Sequence, residues 1–401
     1  MKRRILFVDD EAMVLQGLQR MMRAKRDEWD MQFANSGAEA LVMLAERPAD
    51  LVVSDMRMPG MNGAQLLQEV ARLYPQTVRF VLSGHSDSDL ILQCVNITHQ
   101  FLSKPCDAET LKTAITRAFA LNDILQDDSL RRLVAQLATV PSPPAIYNQL
   151  REELASPDAS VEKVGVIISQ DPAMTIRILQ LVNSSFFGLS RSISSPTEAA
   201  LFLGMETLKA LVLWTQVFSA QKSEELRRVA DEISNHSLLT ARLARQIVEW
   251  EDGDGRTKEN AMTAGLLHDV GKLILAYNCP LQYRQATLIA AQERLPIWEA
   301  EYRVFGTSHA EVGAYLLGLW GLPFDLVEAV AFHHAPSRGG NRLFSGLAAV
   351  HIADVLQHEL QPRAGAPQSG LDQDYLAPFG LSLRIDEWRE ALRSETRAGN
   401  P

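Results

Sequence analysis

A chain of 401 residues with 46% hydrophobic and 22% charged side chains is globular and long enough for two or three domains, each with its own core. The formal charge of −10 is unevenly spread: residues 1–120 hold 14 basic and 15 acidic side chains and the remainder 25 basic and 34 acidic, so no basic stripe marks a general phosphate-backbone binder. Three scattered cysteines, Cys94, Cys106 and Cys279, make neither a disulfide framework nor a CxxC metal pair and read as unpaired thiols. The N-terminal MKRRILFVDDEA runs only four apolar residues before three acids, and the most apolar later segment, 199–218, is interrupted by Glu206 and Lys209. The expectation is a soluble, cytoplasmic protein with no export signal and no membrane span.

From the N-terminus, short apolar runs at 5–8, 31–34, 51–53, 79–82 and 99–102 read as strands. They alternate with helical periods at 13–25, 37–45, 63–73 and 108–121. This five-fold βα alternation predicts an α/β domain with a parallel sheet covered on both faces. Open sheets of this kind place their ligand sites at the carboxyl ends of the strands. Those ends carry Asp9-Asp10-Glu11, Asp55, Ser83 and Lys104-Pro105, and Asp55 stands between a buried-type strand and the turn formers Pro59-Gly60 and Asn62-Gly63. Carboxylates gathered at one point repel each other unless a divalent cation neutralises them, and hard oxygen ligands with room for water suit Mg2+. Asp55 is then a nucleophile toward a phosphoryl donor, with Ser83 to donate a hydrogen bond and Lys104 to supply a counter-charge.

The acid pair near the N-terminus, the DMRMPGMNG loop, the hydroxyl after the fourth strand and the Lys-Pro after the fifth together resemble the receiver domain of two-component response regulators. The resemblance covers about the first 120 residues. It implies phosphorylation of Asp55 by a sensor histidine kinase, Mg2+ held by Asp9 or Asp10 together with Asp55, Ser83 as the switch hydroxyl and Phe101 as the aromatic switch residue. Members often carry Thr where this chain has Ser83.

The helical pattern continues from 108 to 137 through Leu111, Ile115, Ala118, Leu125, Leu133 and Leu137. The seven-residue spacing of Leu111, Ala118 and Leu125 fits either a coiled homodimer seam or a last receiver helix packed on its own sheet. VPSPPA at 140–145 breaks any helix. The expected organisation is a receiver at 1–121, a helical linker at 122–143, an all-helical output domain at 144–360 and a tail at 361–401. That tail reads as mostly irregular, with one amphipathic helix near 385–392. The run EWEDGDGRTKE at 249–259 reads as a solvated loop between helices.

Beyond Pro144 only helical periods occur, which predicts a multi-helix bundle. The stretches DPAMTIRILQLVNS and FLGMETLKALV resemble the HDOD domain, a signalling relative of the HD phosphohydrolases, over about residues 130–360. Seven of the nine histidines lie beyond residue 230. His236 shares a helical face with Leu239, Leu243, Ile247 and Trp250. His268-Asp269 sits in the apolar AGLLHDVGKL, His309 aligns with Val312, Leu316 and Trp320, His333 follows Ala329 and Val330 at helical spacing, and Asp354 lies over Leu347 and Val350. Each therefore points inward, where a buried set of imidazoles and carboxylates is well satisfied by a metal.

The order His236, His268, Asp269, His309, His333, His334, Asp354 is similar to the ligand order of the HD-GYP cyclic-dinucleotide phosphodiesterases. In such a site Asp269 bridges two ions, a bridging hydroxide attacks phosphorus and Lys272 holds a phosphate oxygen; the mixed N and O donors suit Fe, Mn or Zn. After His333-His334, however, the chain reads APSRGGNRLF, without the acidic residue and GYP loop of those enzymes. Two readings of the output domain follow: an HDOD module that transmits the receiver's state to a protein target, or a phosphorylation-gated, metal-dependent phosphohydrolase. The charge balance and the lack of a basic recognition helix disfavour a DNA-binding regulator.

Overall fold

The computed structural model describes residues 2–83, 97–122, 149–150, 152–154, 156, 158–183, 191–215, 224–339, 343–360, 370–381, 384–390 and 392. The VPSPPA break, Leu125, Leu133, Leu137 and nearly all of the expected linker lie outside these residues, as do the PRAGAP and RAGNP stretches of the tail. The chain divides into two compact units, Met1–Thr139 with Arg177–Ile193 and Tyr315–Leu322, and Val140–Ile176 with Ser194–Ala314 and Pro323–Pro401.

The first unit is built on five parallel strands, β1 (Arg3–Val8), β2 (Trp29–Ala34), β3 (Leu51–Asp55), β4 (Val78–Ser83) and β5 (Gln100–Ser103), in the order β2-β1-β3-β4-β5. The central strands are apolar and largely β-branched because both of their faces are covered. Ile5, Phe7, Leu51, Val52, Phe80 and Val81 have no exposed surface. Helices α1 (Ala12–Met21), α2 (Gly37–Glu46), α3 (Gly63–Leu73) and α4 (Ala108–Asn122) supply the cover. The alternation thus yields the expected α/β fold, with one local difference. The period read as one helix over 13–25 stops at Met21 and tightens into a 3-10 turn, Arg23–Lys25, beside the fully buried Met22.

Leu111, Ile115 and Ala118 of α4 are fully buried, and Phe119 meets the ring of Trp29 edge-on at 6.1 Å. The first two positions of the heptad are therefore spent on the unit's own core.

Register fixes what the strand ends bring together. Val8 pairs with Ser54, Asp55 with Leu82 and Ser83 with Ser103, so Asp9, Asp55, Ser83 and Lys104 all fall on the carboxyl edge of the sheet.

The remaining described chain is helical: α5 (Val161–Ile168), α6 (Pro172–Val182), α7 (Pro196–Thr215), α8 (Glu224–Trp250), α9 (Gly255–Leu267), α10 (Val270–Asn278), α11 (Pro280–Glu293), α12 (Ile297–Phe305), α13 (His309–Leu319), α14 (Phe324–Phe332), α15 (Gly346–Leu360) and α16 (Gln373–Leu376). Helix α7 is broken at Gly204, whose φ of 74° needs a residue without Cβ. The run 249–259 is mostly helix, not loop. Helix α8 continues to Trp250, and α9 starts at Gly255 with Asp254 accepting the Thr257 N–H at 2.7 Å. Within the segment read as a mostly irregular tail, residues 373–379 form α16 and a 3-10 turn, residues 384–390 are helical where one amphipathic helix is expected, and Tyr375, Leu376, Leu381, Ile385, Trp388 and Leu392 are buried. Among the described residues, no helix is long and apolar enough to cross a membrane.

Candidate functional site

At the sheet edge, Asp9 and Asp55 are buried and Asp10 is exposed, and the three offer carboxylate oxygens that all lie within 4.8 Å of one another. Lys104 reaches in from the end of β5, with Nζ 2.7 Å from Asp9 Oδ2 and 2.8 Å from Asp55 Oδ1. Burial pushes the Asp55 carboxyl up even against the pull of Lys104. The Lys104 ammonium is held up by Asp55 and Asp9, which outweigh its own burial. Ser83 is 1% exposed and its Oγ finds no hydrogen-bond partner among the described residues, an uncommon state for a buried hydroxyl. Phe101 is buried in the core beside this edge.

The loop that carries Asp55 is fixed from below. Asn62 and Gln65 form a reciprocal capping box that starts α3, and a Cβ at Gly63 would lie 2.2 Å from the Asp55 backbone oxygen. Only glycine allows α3 to begin there.

In the second unit, six helices each deliver one part of a buried His/Asp cluster. His236 comes from α8, whose inward stripe also holds Ile233, Thr240, Ala244 and Ile247. His268 and Asp269 fill the junction between α9 and α10, His309 opens α13, His333 and His334 follow α14, and Asp354 projects from the middle of α15.

Asp269 and Asp354 are the hubs. His309 Nε2 lies 3.2 Å from Asp269 Oδ1, with His333 Nε2 at 3.9 Å from the same oxygen. His236 Nε2 is 3.0 Å from Asp354 Oδ1, and His268 Nε2 is 3.5 Å from Asp269 Oδ2 and 3.6 Å from Asp354 Oδ1. His334 joins them through Nε2, 3.0 Å from His309 Nε2, and through Nδ1, 3.8 Å from Asp354 Oδ2. The Lys272 ammonium donates to Asp269 Oδ2 at 2.7 Å.

The back sides of the rings are already committed. Nδ1 of His268 faces the Gly265 carbonyl at 2.7 Å, Nδ1 of His333 faces the Val330 carbonyl at 2.8 Å, and Nδ1 of His309 faces Glu301 Oε2 at 2.6 Å. Each of these bonds turns the opposite nitrogen, Nε2, toward the carboxylates, as hydrogen-bond partners behind metal-binding histidines do.

Burial drives His333 and His334 well below the ordinary imidazole range, with neighbouring histidines adding to it, and burial also lowers His236. For Asp269, burial would raise the carboxyl, but His268, Lys272 and His309 outweigh it and hold it well below the usual range; His236, His268 and His358 do the same for Asp354. Neutral imidazoles and ionised carboxylates are the ligand forms a transition metal requires. His268 Nε2, His333 Nε2, His334 Nδ1 and Asp269 Oδ1 are buried without a hydrogen bond. Three triads, His309/His333/His334, His236/His268/Asp354 and His268/Asp269/His333, each have donor atoms within 4.8 Å. The residues present fit one or two borderline metal ions with mixed N and O donors.

All the site residues expected from sequence fall in one of these two places. Sequence reasoning missed Glu301, behind His309, and His358, whose Nδ1 is 3.1 Å from Asp354 Oδ1 and whose ring meets that of His236 at 4.7 Å. It also missed His351, which lies between the His333 carbonyl, 2.7 Å from its Nδ1, and the Asp372 N–H, 2.9 Å from its Nε2. The available signals were a carboxylate on the apolar stripe of α12 and a histidine one turn after Asp354.

Residues 5–116 match the response regulator receiver domain, and residues 140–336 match the HDOD domain. An uncharacterized protein of Treponema pallidum is 26% identical over 227 residues, 55% of this chain and 43% of that protein. The hydrogenase transcriptional regulatory protein HoxA of Cupriavidus necator is 31% identical over 154 residues, 38% of this chain and 30% of that protein. This chain thus spans less than half the length of these curated relatives. The crystal structure of the MmoQ response regulator of Methylococcus capsulatus aligns with 62% of this chain and 97% of its own at 24% identity, with a TM-score of 0.48.

Proposed function

We propose that this chain, which joins a response regulator receiver domain to an HDOD domain, accepts a phosphoryl group on Asp55 from a histidine kinase and answers through a protein target of its helical domain. The observation that carries the reading is the sheet edge: three carboxylates within 4.8 Å, Lys104 bonded to two of them, and a Ser83 hydroxyl with no partner among the described residues. Asp9, Asp10 and Asp55 offer hard oxygens to Mg2+, which when bound neutralises the carboxylates and orients the donor's phosphate. An Asp55 carboxylate oxygen attacks phosphorus, the donor's phosphorus–nitrogen bond breaks, and the imidazole leaves. Ser83 then has a phosphoryl oxygen to donate to, and Lys104 transfers part of its pairing to the new charge.

Acetyl phosphate with Mg2+ tests this. The wild type gains one phosphoryl group and Asp55→Asn none; modification that survives the substitution removes Asp55 from the role.

A second reading, favoured by the buried donor atoms without hydrogen bonds around Asp269 and Asp354, is a metal-dependent phosphohydrolase gated by the receiver. There the histidines and aspartates hold Fe, Mn or Zn, which supplies Lewis-acid activation of a phosphoester, while Lys272 neutralises Asp269 and offers a cation to a phosphate oxygen. Elemental analysis of protein purified without chelator decides first: fewer than about one transition metal per chain ends this reading. With metal present, equal inertness of wild type and Asp269→Ala toward cyclic di-GMP leaves the cluster structural.

A further inference from the structure

Glu301 belongs to no donor triad, yet it is fully buried and both of its carboxylate contacts are to one residue. Oε2 accepts the His309 backbone N–H at 2.7 Å and lies 2.6 Å from His309 Nδ1, while Oε1 finds no hydrogen-bond partner among the described residues. A buried carboxylate is costly to keep, and removing this one would leave two buried His309 donors without a partner. What this one does is geometric. By accepting from the first N–H of α13 it caps that helix, and by accepting from Nδ1 it fixes the tautomer in which His309 Nε2 faces Asp269, 3.2 Å away.

The same helix, α12, lays the Trp298 ring over His334, with centroids 5.9 Å apart and planes 23° from parallel. Trp298 and Glu301, three residues apart on α12, thus support both histidines.

We propose that Glu301 is a positioning residue that orients and polarises His309 and so sets the metal affinity of the His309/His333/His334 half of the cluster. The inference rests on the metal reading of that cluster. It gives the two halves different strengths: the half around His236, His268 and Asp354 has no partner from α12 among the contacts described and does not depend on Glu301.

The test titrates Zn2+ against a chromophoric chelator, using full-length wild type, Glu301→Gln and Glu301→Ala, and follows thermal melting of each protein after metal removal. Glu301→Ala weakens one of two Zn2+ sites by roughly 10- to 100-fold and leaves the other unchanged. Glu301→Gln, whose carbonyl oxygen still accepts both N–H bonds, weakens the same site several-fold through the lost charge while the stripped protein melts close to wild type. Should Ala not fold, Gln alone carries the comparison. Unchanged Zn2+ affinity in the folded variants overturns the role of Glu301 and leaves the metal reading standing; a wild type that binds no Zn2+ overturns both.

Discussion

The α-carbon of Gly271 approaches the backbone of His309 so closely that a Cβ there would lie 1.9 Å from the His309 carbonyl oxygen. Helix α10 and the start of α13 therefore meet backbone to backbone directly behind the donor cluster, two residues after Asp269. Gly271→Ala cannot be absorbed by a side-chain rotation. It must separate the two helices and move His309 away from Asp269. The expected outcome is a loss of about 1–3 kcal/mol in chemical denaturation, together with weakened metal retention, because overpacking a tight backbone crossing displaces structure instead of filling space. Gly255→Ala, where a Cβ meets nothing within 4 Å, serves as the control and should leave metal retention unchanged.

Ser83 gives a prediction of opposite sign. Its buried Oγ has no hydrogen-bond partner among the described residues, a desolvated hydroxyl without structural return there. Ser83→Ala should raise the stability of the unmodified protein, by about 1 kcal/mol, while slowing or weakening any response that follows phosphorylation of Asp55. Urea melts of the two unmodified proteins check the first part. If Ser83→Ala is instead destabilised, the hydroxyl has a structural partner and its assignment to the phosphoryl group loses its basis.

Much of this was legible in the sequence because the chemistry sits where periodicity changes. Asp9, Asp55, Ser83 and Lys104 each end an apolar run, and a parallel sheet collects such ends on one edge by its geometry alone. His236, His268, His309 and Asp354 stood out as polar residues on apolar helical stripes, which must point inward. Glu301 obeys the same rule but lies on α12, where nothing in the linear order ties it to His309 eight residues on, whereas His358 stands one turn after Asp354 on α15 and was within reach of the same spacing argument. The Asp372–His351–His333 chain depends on a tertiary return of the C-terminal segment. Residues 373–379 carry no periodic signal because their elements are single turns, too short for a 3.6-residue period to show, and their order comes from burial of Tyr375 and Leu376 and from Asp372 accepting the Ser337 and Tyr375 N–H groups.

Cys106 supplies a pH-dependent test of the structure around Lys104. Burial pushes its thiol up to about 11, and the neighbouring Asp107 carboxylate adds to the rise. The thiolate is the reactive form, so reaction with iodoacetamide must follow its population upward with pH. A free cysteine reaches half its maximal rate near pH 8.5; Cys106 should do so near 11 and react roughly two orders of magnitude more slowly than a free thiol at pH 8. The measurement uses a chain with Cys94 and Cys279 replaced by serine. A half-maximal rate near pH 8.5 would mean that Cys106 is open to solvent and that the β5–α4 junction does not bury it.

The C-terminal helical residues are held to the end of α8 by an interaction that can be removed at one position. The Trp388 ring stacks on Trp250, with centroids 5.4 Å apart and planes 21° from parallel, and Arg384 Nη1 makes an ion pair with Glu251 Oε1 at 2.9 Å. Arg389 adds an ion pair to Glu359 on α15, so this short segment ties α8 to α15, the helices that carry His236 and Asp354. Both ion pairs are partly solvent-exposed and contribute little next to the buried aromatic surface. Trp388 is 5% exposed, and truncating a tryptophan so buried costs about 3–5 kcal/mol. Trp388→Ala should therefore lower the stability of the helical unit by that order while leaving the receiver intact. Two-phase unfolding would then appear, with phosphorylation of Asp55 by acetyl phosphate persisting after the first phase. A single cooperative transition at unchanged denaturant concentration would show instead that the C-terminal segment is not part of the core that supports the cluster.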